Sequence, residues 1–445
     1  MADDGLLRFH VSLPSGRCEV VSLSSGSTIG DLKLAAQQAL ARGFLRLAGP
    51  DGRVLELGDT VEGAGLGDGD SITAVAWRTR LAATQRAFAL WGVGSDSVAT
   101  WGDAECGADS SRVQDRLRNV QQIYGTDRAF AAILEGGHVI TWGDGYAGGS
   151  SSSVQHELRN VQQIQATGAA FAAVLADHSA VTWGDPEAGG DSTRVQDQLG
   201  NVREISGTKR AFAAILGDGT VVTWGDPLAG GNSENVQDQL RNVQHISATE
   251  SAFAAILAGG GVVTWGDISA GGDSTVVQDR LRNVQQISGT ERAFAAILEG
   301  GSVITWGTPE YGGSCSSELQ NVQEVHATGA AFAAILADAS VVTWGNPRAG
   351  GDSSQVAHQL KDVQRIRATK FAFAAVTTDG DSVVTWGPGI FGGDSRRVAS
   401  QLVKVQEIFA TDGAFAAMAD GALVAWGHPG EGGDLKPIWE RLKEL

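Results

Sequence analysis

Histidine, cysteine and a recurring Asp-Ser pair are the residues of this chain whose types could do chemistry, and their spacing argues against most of it. The histidines (His10, His138, His156, His178, His245, His326, His358 and His428) fall at unrelated positions, and no HExxH, GxSxG or phosphate-loop pattern accompanies them. Asp191-Ser192, Asp273-Ser274, Asp352-Ser353 and Asp394-Ser395 each follow a glycine pair, which invites a calcium loop. Each such loop lacks the carboxylate spacing of an EF-hand, and Asp and Ser favour turns by bonding their own backbone. Cys18, Cys106 and Cys315 lie far apart, which predicts neither a disulfide framework nor a zinc site. No catalytic residue, metal or cofactor is therefore expected, and the chain reads as a non-enzyme.

The elements around these residues are copied ones. Glycine numbers 61 and tryptophan 12, against 9 prolines, 3 tyrosines and 2 methionines, the skew that one short pattern repeated many times produces. Trp-Gly pairs begin at Trp101, Trp142, Trp183, Trp224, Trp265, Trp306, Trp344, Trp386 and Trp426, in steps of 41, 41, 41, 41, 41, 38, 42 and 40 residues. Within a unit, Val243-Gln-His-Ile reads as a short strand, Ala252-Phe-Ala-Ala-Ile-Leu as an apolar one, and Val262-Val-Thr-Trp as a β-branched one ended by glycine. One pair, Trp91-Gly92, falls outside the register. Three or four short strands per unit in nine units predict a β-propeller of seven to nine blades over 78–434, followed by an amphipathic tail over 435–445 carrying Ile438, Trp439 and Leu442. The tail is expected to dock on the last blade or complete ring closure. The recurrent tryptophans read as packing between blades, and the Ala-Phe-Ala-Ala positions as residues crowded near the propeller axis.

Residues 1–77 are organised differently. Leu7, Phe9 and Val11 alternate with polar neighbours before a Pro14-Ser15-Gly16 turn, and Ile29, Leu32, Ala36 and Leu40 recur at helical spacing. Phe44 to Leu47, a short Val54-Leu55 strand and a strand from Ser71 to Ala76 complete a ββαββ order.

That order and its wording, "STIGDLKLAAQQAL" and "FLRLAGPDGRVLELGDTV", resemble ubiquitin, which implies a β-grasp α+β domain ahead of the mainly β array. The segment departs by running into Trp77-Arg78-Thr79-Arg80 where ubiquitin has its diglycine. It also places Arg46 at the centre of the family's binding patch, with Val75 at another patch position. The phrase "AFAAILGDGTVVTWGDPLAGG" (211–231) resembles the regulator-of-chromosome-condensation repeat and is similar to repeat arrays of dinoflagellates. The array departs from that family at the strand start, where Ala/Gly-Thr-x-x-Ala-Phe replaces a histidine-containing phrase, and in its count of units.

The net charge is −18, of which residues 1–77 carry −4, a balance that opposes nucleic-acid binding. No apolar run is long enough for a membrane helix, and a cytoplasmic or nuclear location is expected. What varies from unit to unit are loop residues after the Trp-Gly (Tyr146, Glu187, Leu228, Ser269, Tyr311, Arg348, Phe391 and Glu431) and the pairs after the first-strand threonine, Asp127-Arg128, Lys209-Arg210, Glu250-Ser251, Glu291-Arg292 and Lys370-Phe371. An unvarying scaffold with varied loop tips is how repeat proteins build a binding face, with the aromatic tips as anchors. The expectation is a protein-interaction scaffold or adaptor, its first domain linking to ubiquitin or proteasome components. The resemblances imply two alternatives: guanine-nucleotide exchange on a small GTPase, and the substrate-recognition part of a ubiquitin ligase.

Overall fold

The computed structural model describes residues 6–40, 45–76, 79–92, 97–315, 318–378, 380, 382–420 and 422–438. At the N-terminal side, β1 (Leu6–Ser12) and β2 (Cys18–Ser24) form an antiparallel hairpin around the predicted turn. The helix α1 (Ile29–Leu40) starts at a reciprocal cap: Asp31 N donates to Thr28 Oγ1, and Thr28 N donates back to Asp31 Oδ2. β3 (Leu45–Ala48) and β4 (Ser71–Ala76) complete a sheet ordered β2-β1-β4-β3, with the central β1/β4 pair parallel. Phe9, Val11, Ile29, Leu32, Leu47 and Ile72 are buried together between α1 and the sheet. Burial also pushes the Lys33 ammonium down to about 8.

The expected Val54-Leu55 strand is reduced to a single bridge between Ala48 and Val54. The chain turns away at once because Leu57 O and Asp59 O are taken by the first amides of α1, Gly30 N and Ile29 N.

From Thr79 onward the chain forms nine three-stranded antiparallel sheets, here numbered units 1 to 9. Each unit draws its strands from one repeat, in the spatial order first, second, third. Unit 5 is Val243–Ala248, Ala252–Leu257 and Val262–Gly266. Alternation explains how one apolar strand serves two neighbours. Phe253 and Ala255 pack toward unit 4, whereas Ala252, Ala254 and Ile256 pack toward unit 6.

The second strand is thus small and apolar because it is sandwiched between blades. It does not line the axis, as the sequence suggested; the first strands and the turns after them do. Trp91 lies in the second strand of unit 1, across from Val98, and is buried against unit 2.

Every recurrent tryptophan spans a boundary. Trp265 stacks on Phe253 of its own sheet with ring centroids 5.1 Å apart, and its Nε1 donates to Gly230 O of unit 4 at 3.0 Å. The series closes on itself, since Trp101 Nε1 of unit 1 donates to Gly432 O of unit 9. Leu81, Phe88 and Trp101 pack there with Ala414, Ala416 and Met418, and Ile438 joins them. Ile438 N donates to Leu435 O as Val113 N donates to Ser110 O in unit 1, so residues 435–438 continue the ninth loop. Trp439 and Leu442 lie outside the described residues. No helix among the described residues is long and apolar enough to cross a membrane.

Candidate interaction face

The ring has one face on which both variable segments emerge: the turn between first and second strands, and the 3-10 loop after the third. A threonine ties them together in every unit. In unit 4, Thr208 Oγ1 donates to Ala229 O of the loop (3.0 Å) and accepts from Ala211 N (2.9 Å). Its counterparts are buried throughout: Thr84, Thr126, Thr167, Thr249, Thr290, Thr328, Thr369 and Thr411. The loop is fixed at its other end by a side-chain cap, Asp226 Oδ1 accepting from Leu228 N, and by Gly230 in the left-handed region. The tips therefore sit on a rigid mount.

Counted from the Trp, the left-handed glycine falls six residues on in all nine units, from Gly107 to Gly432. That register separates the sequence-predicted tips into two kinds. Tyr146, Glu187, Leu228, Ser269 and Arg348 are exposed at the outer position. Tyr311, Phe391 and Glu431 stand one residue later, in the column that holds the buried alanines Ala147, Ala188, Ala229, Ala270 and Ala349.

These three are accordingly half-buried and engaged, and they are not the free anchors expected of them. Arg292 lies over the Tyr311 ring at 5.5 Å, Phe391 packs on Phe371 at 4.7 Å, and the Glu431 carboxylate lies 3.7 Å from Arg86 of unit 1. The true outer residues in those units are Glu310, Ile390 and Gly430. Glu187, though exposed, is held by Arg210 of unit 4 at 2.9 Å. The large apolar side chains left in water on this face are Tyr146 (90% exposed), Leu228 (81%), Ile268 (73%) and Ile390 (59%). Leu228 and Ile268 belong to the loops of adjacent units; sequence reading missed Ile268 because it precedes the column inspected.

At the axis the turns surround a cavity of about 520 Å³. Its charged residues are Asp127, Lys209, Glu250, Glu291, Lys370 and Asp412, positions that vary from unit to unit. Lys209 lies 3.7 Å from Asp127 and 3.4 Å from Glu250, while Lys370 pairs with Glu291. Burial raises the Asp412 carboxyl to about 6, against the pull of Lys370. An acid raised on folding contributes stability fully below its unfolded value near ~4, and that contribution is lost as pH rises through about 6. Asp412→Asn should therefore stabilise the ring at pH 7, by on the order of 1 kcal/mol after allowance for water in the open mouth. It should also flatten the pH dependence of the urea midpoint between those two values. An unchanged slope would mean that Asp412 is solvated.

Around the same mouth the backbone closes a circle. Asp127 N donates to Gly168 O, Gly168 N to Lys209 O, Lys209 N to Glu250 O, and so on through Glu291, Gly329, Lys370 and Asp412. Asp412 N donates to Gln85 O, and Gln85 N to Asp127 O, all at 2.8–3.1 Å.

In the first domain, Arg46 and Val75 are directly opposite in the β3/β4 register, and both are exposed on one face. Cys18 is exposed, Cys106 buried and Cys315 half-buried, and among the described residues no disulfide joins them. Among the described residues no group of three His, Cys, Asp or Glu is placed to hold a metal.

No protein-family model matches the chain, and no curated protein sequence does. Among solved structures, the chain is similar to yeast RCC1 (Prp20) in its complex with Kap60, at 14% identity over 76% of this chain and 88% of that one, with a TM-score of 0.40. It is similar to Prp20p of Saccharomyces cerevisiae, described with its binding to Gsp1p and histones, at 15% identity over 69% and 82%, with a TM-score of 0.39. The ectodomain of the Physcomitrella patens receptor kinase CR4 shows 16% identity over 60% and 72%, with a TM-score of 0.37.

Proposed function

We propose that the chain is a non-catalytic interaction scaffold whose ring binds a protein partner on the face carrying the 3-10 loops. The observation that carries this reading is the exposure of Tyr146, Leu228 and Ile268, large apolar side chains held in water on loops too well anchored to fold them away. The acidic net charge favours a protein partner over nucleic acid. In the same reading the first domain is a ubiquitin-like module that connects the ring to ubiquitin or proteasome components. Arg46 beside Val75 gives its sheet a more polar patch than ubiquitin presents.

Proximity labelling in the source cells, with the intact chain and with a Tyr146→Ala, Leu228→Asp, Ile268→Asp variant, tests the ring. Loss of specific labelled proteins from the variant is expected, since buried anchors contribute about 2 kcal/mol each or more. An identical labelled set would remove the rim from consideration. Residues 1–77 expressed separately should retain any ubiquitin or proteasome factors. The resemblance to the regulator-of-chromosome-condensation repeat keeps nucleotide exchange as the second reading. Accelerated GDP release from a small GTPase by the purified chain would replace the scaffold reading with that one.

A further inference from the structure

The outer edge of unit 4 points to a second interaction surface, of a kind the rim does not provide. Its strands are Val202–Gly207, Ala211–Leu216 and Val221–Gly225. Thr208 N donates to Ala211 O, so the peptide groups of Ala211 face the first strand. By alternation Ala213 and Ile215 face the same way, and Phe212 and Ala214 face the third strand, across from Trp224 and Val222. Val221, Thr223 and Gly225 must then direct their peptide groups outward.

The Val221 carbonyl is capped by Gln237 Nε2 at 2.9 Å. Unit 3 also occupies the matching amide, with Ala180 N donating to Leu199 O, but Val221 N has no such bond among the described residues. Neither peptide group of Thr223 meets a partner there either; its hydroxyl alone is engaged, with Ser233. An open edge of this kind is a template for another strand.

This edge lines a groove of about 730 Å³ between the loop of unit 3 and the loop of unit 4, where Thr223 and Gly225 are half-buried and Val221, Val222 and Trp224 buried; a groove of about 740 Å³ runs along Val383–Gly387 in unit 8. In the unit 4 groove the walls carry Asp191 and Glu234 against one guanidinium, Arg194, and also Glu187, which Arg210 already holds.

We propose that the unit 4 groove takes an extended segment of a partner protein as a fourth strand, with lysine or arginine at alternate positions facing the acidic walls. Backbone pairing to Thr223 supplies the docking, and the carboxylates set the preference for cationic side chains.

The probe is a fluorescent peptide of about ten alternating Lys and Val residues, long enough to pair along the edge. It is measured by anisotropy with the intact chain at about 0.15 M salt, where non-specific charge attraction is screened. The controls are the same peptide with a central proline and a Glu-Val counterpart. The expected result is saturable binding of the Lys-Val peptide alone, with amide exchange at Thr223 slowed at least about tenfold on binding. Asp191→Lys with Glu234→Lys should weaken binding about tenfold or more, and Thr223→Pro should abolish it. Should the proline substitution unfold the unit, the charge pair and the exchange readout still decide the matter. Equal binding of the proline-interrupted peptide, or binding without slowed exchange at Thr223, overturns the proposal. The Tyr146, Leu228 and Ile268 substitutions should leave this binding unchanged, so the groove and the rim fail separately.

Discussion

Gly230→Ala is expected to lower the unfolding free energy of the ring by about 3 kcal/mol, a large share of the ~5–15 kcal/mol typical of a domain. Two costs add. Gly230 sits at φ +90°, where an L side chain costs roughly 1–2 kcal/mol. An added Cβ would also stand 2.6 Å from Phe253 Cδ2. Phe253 is fully buried and stacked on Trp265, so it has nowhere to move, and overpacking of this kind costs roughly 1–3 kcal/mol. Displacing the loop to relieve the clash would break the bond from Trp265 Nε1 to the Gly230 carbonyl.

Gly200→Ala is the internal control. It has no positive φ, and an added methyl there would meet nothing within 4 Å, so its change should be near neutral. Urea titration of the two variants decides it, and equal midpoints would refute the steric account.

Trp101→Ala should be the more damaging of two chemically identical substitutions. Truncating a buried Trp costs about 3–5 kcal/mol wherever it lies. Trp265→Ala weakens the boundary between units 4 and 5, yet those units remain joined by the short chain segment between Gly225 and Val243. Trp101 lies at the boundary between units 9 and 1, which no connecting loop spans. There the loss leaves the seam to the remaining apolar contacts, the Arg86–Glu431 pair and one backbone bond of the axial circle, Asp412 N to Gln85 O, and closing so long a loop carries its own entropic cost. Trp101→Ala is therefore expected to increase the hydrodynamic radius or to produce dimers by exchange of units, whereas Trp265→Ala stays compact. Indistinguishable scattering profiles for the two variants would show that the seam is no weaker than any other boundary.

The repeats were legible because a boundary needs the same things each time: an indole to span it, a glycine to receive the indole N–H, and a phenylalanine between them. Spacing alone therefore located all nine third strands, from Trp101 to Trp426. The tips were read less well, since the eye picks Tyr311 and Phe391 for their size. Counting back from the glycine pair would have put them in the alanine column and exposed Ile390 in their place.

The threonine at the end of each first strand was visible as part of the phrase. Its role was not, because one hydroxyl serving two separate segments is a tertiary fact. The same holds for Asn242 and its counterparts, which take a left-handed conformation to open the first strands of units 2 to 9. The position of the axis was also beyond the pattern. Small residues mark close approach, and sheets in a ring approach one another along their flanks as closely as strands do at a centre.

The circle of peptide groups around the mouth has one further consequence. Each amide donates in the same rotational sense, so the circle behaves as a helix bent until its first turn meets its last. An ordinary helix leaves donors stranded at one end and acceptors at the other, frays there, and carries a net dipole. This closed chain has no ends to cap, and its peptide dipoles cancel around the loop. Gain or loss of a whole repeat would keep every donor matched, whereas a fractional repeat would strand one donor and one acceptor at the centre. Sequence change in such a ring should thus proceed by whole units, with length variation confined to the outer loops.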